Sequence, residues 1–227
     1  MSGQFITIEG AEGVGKSTNI RLIQALLDAA GIAHIATREP GGTPLAEQIR
    51  NLLLTKSEQP MDSLAELLLM FAARRQHVQE LILPALQAGQ WVICDRFTDS
   101  TYAYQGGGRG LDLAQIGVLE QLCLGDFRPN LTLLLDLEVN AGLARAAERG
   151  EPDRFESEDI AFFNRVRQVF LDRAASADRY RVVDASQSLA QVEARIRAII
   201  TTLPAYIQAA AGSQPQGAGM QDFGSHE

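Results

Sequence analysis

Five short runs of apolar and β-branched residues punctuate the chain: F-I-T-I-E (5–9), H-I-A-T-R (34–38), W-V-I-C-D (91–95), L-T-L-L-L-D-L (131–137) and R-V-V-D (181–184). Four of them lack strict apolar/polar alternation, the pattern of strands covered on both faces. Between and after them, apolar residues recur at helical spacing and predict helices at about 16–30, 44–55, 62–88, 112–124, 140–149, 157–177 and 188–202. Pro84 is expected to kink or end the third, and Gly31, Gly89 and Gly150 stand where helices stop. Strands alternating with helices predict an α/β fold, a doubly wound parallel sheet of five strands. From Ala209 to Glu227 the composition shifts towards Gly, Gln and Ser, so one domain over 1–208 with a mobile tail over 209–227 is expected.

The first strand-to-helix junction carries chemistry. Residues 10–17 read G-A-E-G-V-G-K-S, which fits the phosphate-binding G-x-x-x-x-G-K-[ST] in the context its physics requires, after a strand and before a helix. Gly10, Ala11, Glu12, Gly13, Val14 and Gly15 would turn backbone N–H groups towards phosphate oxygens, with Lys16, Ser17 and Thr18 opening the helix whose positive dipole end adds to them. Lys16 would neutralise the β- and γ-phosphates of ATP, and the Ser17 hydroxyl would ligate Mg²⁺. A second carboxylate should help hold the metal from a neighbouring strand end. Asp95, followed directly by Arg96, is the candidate.

Composition narrows the class. The chain has 227 residues, 46% of them hydrophobic, enough for one sizeable core. Its net charge of −8 argues against nucleic acid as the main partner. No run approaches a membrane span, and the start does not read as a signal peptide, so a cytoplasmic location is expected. Cys94 and Cys123 lack metal-ligand spacing and read as reduced thiols. Of 20 basic residues only Lys16 and Lys56 are not Arg, and arginine forks in an acidic chain suit small phosphorylated ligands. There is no N-K-x-D segment, which disfavours a GTPase, and the chain is short for a motor ATPase. A small kinase remains.

Further motifs make the kinase specific. R-E-P-G-G-T (38–43), D-R-F (95–97), T-Y-A-Y-Q-G-G-G-R-G (101–110) and D-R-F-E (153–156), with the phosphate loop, resemble the bacterial thymidylate kinases from about residue 4 to 203. The resemblance implies phosphoryl transfer from ATP to dTMP, giving ADP and dTDP, by a homodimer. It implies that Phe71 stacks on thymine and that Arg75, one turn on, hydrogen-bonds it. On periodicity alone Phe71 would be core and Arg75 a surface residue. It further implies that Arg96 holds the acceptor phosphate, that Glu12 faces the sugar 3′-hydroxyl, and that Thr101, Tyr104 and Gln105 surround base and sugar. Arg38 and Pro40 fall on a loop resembling the acceptor-side wall.

Arg145, Arg149 and Arg154 lie in a segment broken by Gly150 and Pro152. They are either a charged solvated helix or a lid, about 143–155, that brings arginines to the transferring phosphoryl. The phosphate loop holds no cation among residues 11–14, which matches the thymidylate kinases that take their catalytic arginine from the lid; Arg149 and Arg154 are then catalytic and Arg145 contacts ATP. Rival readings are a kinase acting on UMP or CMP and a nucleotide-binding module without turnover. His34, His77 and His226 receive no role.

Overall fold

The structure, a computed structural model, describes residues 3–56, 58–148 and 154–212. Its centre is five parallel strands, β1 (Phe5–Glu9), β2 (His34–Arg38), β3 (Trp91–Asp95), β4 (Leu131–Asp136) and β5 (Tyr180–Asp184), in the order β2-β3-β1-β4-β5. β1 and its neighbours β3 and β4 are buried almost throughout. Of the two edge strands, β2 has no buried position and β5 mixes buried with exposed ones. All five expected strands are therefore present, and the uninterrupted apolar runs belong to the strands covered on both faces.

The helices are α1 (Lys16–Ala29), α2 (Pro44–Leu54), α3 (Ser63–His77), α4 (Leu83–Gln87), α5 (Thr98–Thr101), α6 (Leu113–Leu124), α7 (Val139–Ala147), α8 (Ile160–Ala174), α9 (Leu189–Thr201) and α10 (Pro204–Gly212). Their starts follow from local chemistry. Asp62, Asp112, Asp159 and Ser188 accept backbone N–H groups of the first turns of α3, α6, α8 and α9. Pro84 neither ends nor sharply breaks its helix. α3 passes into α4 through a π-helical turn at Val78–Ile82, which relieves the clash between the proline ring and the carbonyl four residues back.

A second π-helical stretch, Tyr102–Gly108, continues α5, where the sequence suggested only a motif. Three consecutive glycines disfavour a helix locally, but tertiary packing overrides them. A Cβ at Gly108 would come within 2.4 Å of the Phe162 ring on α8. Arg165 of α8 also donates to the carbonyls of Gly107 and Gly108 at 3.1 and 2.9 Å. At the other end, α10 carries helix to Gly212, and Ala209 packs against the main core cluster.

Candidate active site

The phosphate loop joins β1 to α1. Gly10, Gly13 and Gly15 all have positive φ, which L side chains rarely adopt. At Gly13 the need for glycine is also steric, because a Cβ would lie 1.9 Å from the carbonyl oxygen of Gly142 on α7. Lys16 Nζ donates to the carbonyls of Gly10 and Ala11 at 3.1 and 2.9 Å. Burial, with the charge of Arg96 acting in the same sense, lowers the pKa of its ammonium. Val14 is buried in the core, Ser17 is exposed on the first turn of α1, and the Thr18 hydroxyl oxygen accepts from Arg21.

The parallel pairing of β1 with β3 sets Asp95 opposite Ile8, so the D-R-F segment lies beside the loop. Arg96 has φ +67, a strained conformation for a residue that carries a Cβ, worth roughly 1–3 kcal/mol. Its surroundings impose it: Arg96 N–H donates to Ile8 O at 3.0 Å, and the next N–H, of Phe97, donates to the buried Glu9 at 2.7 Å. Its guanidinium then reaches Gly10 O at 2.9 Å, Ser100 Oγ at 3.2 Å and Glu12 Oε1 at 2.8 Å. The Tyr104 hydroxyl donates to the same Glu12 oxygen at 2.6 Å, and Arg96 lies 4.9 Å from the Tyr104 ring centre. Burial alone would lower the Arg96 pKa; Glu12, Tyr104, Asp95 and Glu9 outweigh it and hold the guanidinium above its ordinary value. Burial, with Glu12 adding to it, pushes the Tyr104 phenol well up. Asp95 Oδ1 is buried without a hydrogen-bond partner among the described residues.

These groups open on one cavity of about 220 Å³. It brings together Glu12, Gly13, Val14, Gly15, Lys16, Ser17, Pro40, Asp95, Arg96, Thr101, Tyr104 and Gln105 from the expected set. Arg145 is not in its wall and donates instead to Ala185 O beyond β5, at 3.2 Å. Arg149 lies outside the described residues.

Four further expected residues do not line this cavity. Phe71 is 2% exposed and packs in a cluster with Leu67, Tyr102 and Ile116; it is core, as its periodicity alone suggests. Arg75 lies outside the cavity lining and donates to Cys123 O on α6 at 2.8 Å. One residue earlier in each case, Met70 and Arg74 line the cavity. A shift of one residue rotates a helical side chain by about 100°, so a one-residue misregister exchanges wall for core. Arg38, at the exposed end of edge strand β2, pairs with Glu47 of α2 at 3.0 Å and does not line the cavity. Arg154 is drawn away from the phosphate loop: Nη1 is 2.6 Å from Glu66 Oε2, and Nε donates to Leu53 O at 2.7 Å. It lines a separate hollow with Lys56 and Arg109.

Sequence reasoning also missed residues. Arg74 is 3% exposed, donates to Glu39 at 2.6 Å and to Phe97 O at 3.1 Å, and lies between the Phe71 and Phe97 rings. His77, one turn further, donates from Nδ1 to the other Glu39 oxygen at 3.0 Å while its Nε2 meets Thr37 Oγ1 at 2.7 Å. Glu39 is thus fixed from both sides and fixes Arg74. Arg50, Phe155 and Glu156 complete the missed wall. The Arg74-Arg75 doublet, with Met70 four residues before Arg74, was the available signal, but its register was ambiguous.

A phosphate loop at the end of β1, an arginine-lined cavity facing it, and no second nucleotide motif define a P-loop nucleoside monophosphate kinase. The thymidylate kinase family model matches residues 8–196. A thymidylate kinase of Ectopseudomonas mendocina (strain ymp) is 58% identical over 204 residues, covering 89% of this chain and 97% of the relative. One of Teredinibacter turnerae is 56% identical over 198 residues, covering 87% and 97%. The crystal structure of thymidylate kinase from Ehrlichia chaffeensis superposes with a TM-score of 0.71 at 36% identity, covering 88% of this chain and 99% of that one. The chain belongs to the thymidylate kinase family.

Proposed function

We propose that the protein transfers the terminal phosphoryl group of ATP to dTMP, giving ADP and dTDP. The observation that carries this reading is the single cavity in which Lys16 of the phosphate loop and Arg96 and Arg74 of the facing wall are brought together in a member of this family. The backbone of residues 10–15 and Lys16 hold the ATP phosphates. Arg96 holds the acceptor phosphate, where a planar fork grips two oxygens. Glu12, already bonded to Arg96 and Tyr104, is placed to accept from a sugar hydroxyl, and Tyr104 crowds the ribose edge. Met70, Arg74, Thr101 and Gln105 form the base wall. Because transfer proceeds in line through a highly charged transition state, positioning and charge stabilisation do the chemistry, and no covalent intermediate is needed.

Ser17 and the unpartnered Asp95 Oδ1 fit an ATP-bound Mg²⁺, a metal usually held by one or two protein groups plus phosphate and water. The ion would supply charge neutralisation at the phosphates. Arg145 and Arg149 are the cations assigned to the donor side; Arg154 anchors the wall. The protein acts in the cytoplasm.

A homodimer forms through the α3/α6 flank. These helices pack side by side, and Leu64, Leu68, Val118 and Leu122 on them are 47–78% exposed. An apolar strip of this kind is expected to be covered. Val118→Asp with Leu122→Asp should convert a dimer into a monomer by analytical ultracentrifugation; a wild-type monomer at micromolar concentration would refute the assignment.

The acceptor is tested by coupled ATP consumption against dTMP, UMP, dCMP and dGMP. Turnover with dTMP should exceed the others by about 100-fold or more, since an apolar pocket alone discriminates by up to about 200-fold and a hydrogen-bonding site by more. Equal turnover with UMP or dCMP would overturn the reading.

A further inference from the structure

Glu66 is a deeply buried carboxylate outside the phosphate-binding region, with a side chain 1% exposed, and it belongs to no recognised motif. Three groups converge on it. Gln105 Nε2 donates to Oε1 at 2.7 Å, Arg109 Nε approaches the same oxygen at 3.4 Å, and Arg154 Nη1 lies 2.6 Å from Oε2. Arg109 also pairs with Glu158. A carboxylate that pairs with guanidinium groups only accepts hydrogen bonds.

That restriction settles which way the Gln105 amide points. Its NH₂ must face Glu66, since turning the amide over would set two oxygens against each other. The carbonyl oxygen then faces away from Glu66. Gln105 lines the acceptor cavity; its Oε1 takes no partner among the described residues, and it is not among the sealed polar atoms that lack one. The wall therefore shows the cavity an acceptor.

We propose that Glu66 is a specificity-determining positioning residue: by holding the Gln105 amide, it presents a carbonyl oxygen that selects a base with a ring N–H donor at its Watson–Crick edge. Thymine and uracil carry that donor at N3; cytosine has a lone pair there and meets oxygen with oxygen. The inference rests on the acceptor-wall layout given above and adds to it the reason why the wall has one polarity. Arg154 and Arg109 are part of the device, because they pair with Glu66 and hold it against Gln105.

The test is calorimetric titration of dTMP and dCMP into the wild-type protein and three variants. Glu66→Gln can donate as well as accept, so it frees the Gln105 amide to turn. The ratio of dCMP to dTMP dissociation constants should fall by about tenfold or more. Gln105→Leu, which removes the oxygen, should lower the ratio to a similar extent. Exchanging the pair, Glu66→Gln with Gln105→Glu, keeps one carboxylate and again leaves only oxygen for the cavity, so the ratio should stay within about threefold of wild type. That double variant keeps the proposal testable where Glu66→Gln alone does not fold, and loss of the ratio in it would overturn the proposal. An unchanged ratio in Glu66→Gln, accompanied only by a lower Tm, would also overturn it and leave the wall layout standing if Gln105→Leu still weakens dTMP. No effect of Gln105→Leu on dTMP would overturn both the layout and the proposal.

Discussion

The phosphate loop and the acceptor wall face each other across one cavity but are held in different ways. Lys16 bonds to carbonyls five and six residues away, and the loop owes its shape to its own glycines and the helix that follows. The wall is assembled across the chain: Arg74 meets Glu39 from 35 residues away, Gln105 meets Glu66 from 39, and Arg96 meets Glu12 from 84. A locally determined site can lose one side chain and keep its shape. A wall made of buried charge pairs loses shape and function together, since an orphaned partner is left in low dielectric.

Mutations can break this contrast. Lys16→Met should have the largest effect on catalysis and a small one on stability. Turnover should fall by about 10²–10³-fold or more, the loss seen when one group aimed at developing charge is removed. Steady-state kinetics and a melting curve check both halves; turnover within threefold of wild type would sink the role given to Lys16.

The pair Met70 and Phe71 separates wall from core on adjacent residues. Phe71→Ala should cost roughly 3–5 kcal/mol of stability, because it empties a fully buried site. The folded fraction should bind dTMP almost normally. Met70→Ala should destabilise less and, through lost apolar contact, weaken dTMP binding by about tenfold, with ATP binding unchanged. Chemical denaturation and calorimetry decide it, and equal losses of dTMP affinity in the two variants would contradict the placement.

This pair also marks how far the sequence could be read. The five strands, the phosphate loop and the Asp95-Arg96 strand end are local patterns, and the structure has them in the expected places. Thr101, Tyr104, Gln105 and Pro40 reached the cavity wall through a family resemblance of motifs. The register of α3 could not be read the same way: M-F and R-R each offer two neighbours of suitable chemistry, and only the packing of α3 against α6 and the Phe97 segment chooses between them. Arg154 was misplaced for a related reason. Its partner Glu66 lies far away in sequence on α3, and nothing in D-R-F-E points to it. Glu39 stands in R-E-P-G-G-T, but nothing in the sequence ties it or His77 to Arg74 until β2 is set beside β3.

A smaller effect sharpens the electrostatic side. Desolvation, with Asp99 beside it, raises the Glu9 carboxyl from 4.5 to about 7. Between those values the native protein binds more protons than the unfolded chain, so this group's contribution makes stability fall as pH rises from about 4.5 to 7. The loss is of the order of 1–3 kcal/mol. Glu9→Gln keeps an acceptor for the Phe97 N–H and cannot titrate. Denaturation at pH 5 and pH 8 should therefore show a steeper decline in the wild type than in the variant, and parallel profiles would refute the shift.

The most direct test of the account is dTMP affinity in Arg74→Met and Arg75→Met, two substitutions of one chemistry on neighbouring residues. Arg74→Met should weaken dTMP binding by about tenfold or more and lower the Tm, because it removes a charged group from the wall and leaves Glu39 without its ion-pair partner. Arg75→Met should leave the dTMP dissociation constant within twofold of wild type. The reverse pattern, with Arg75→Met weakening dTMP and Arg74→Met only destabilising the fold, would contradict the wall described here.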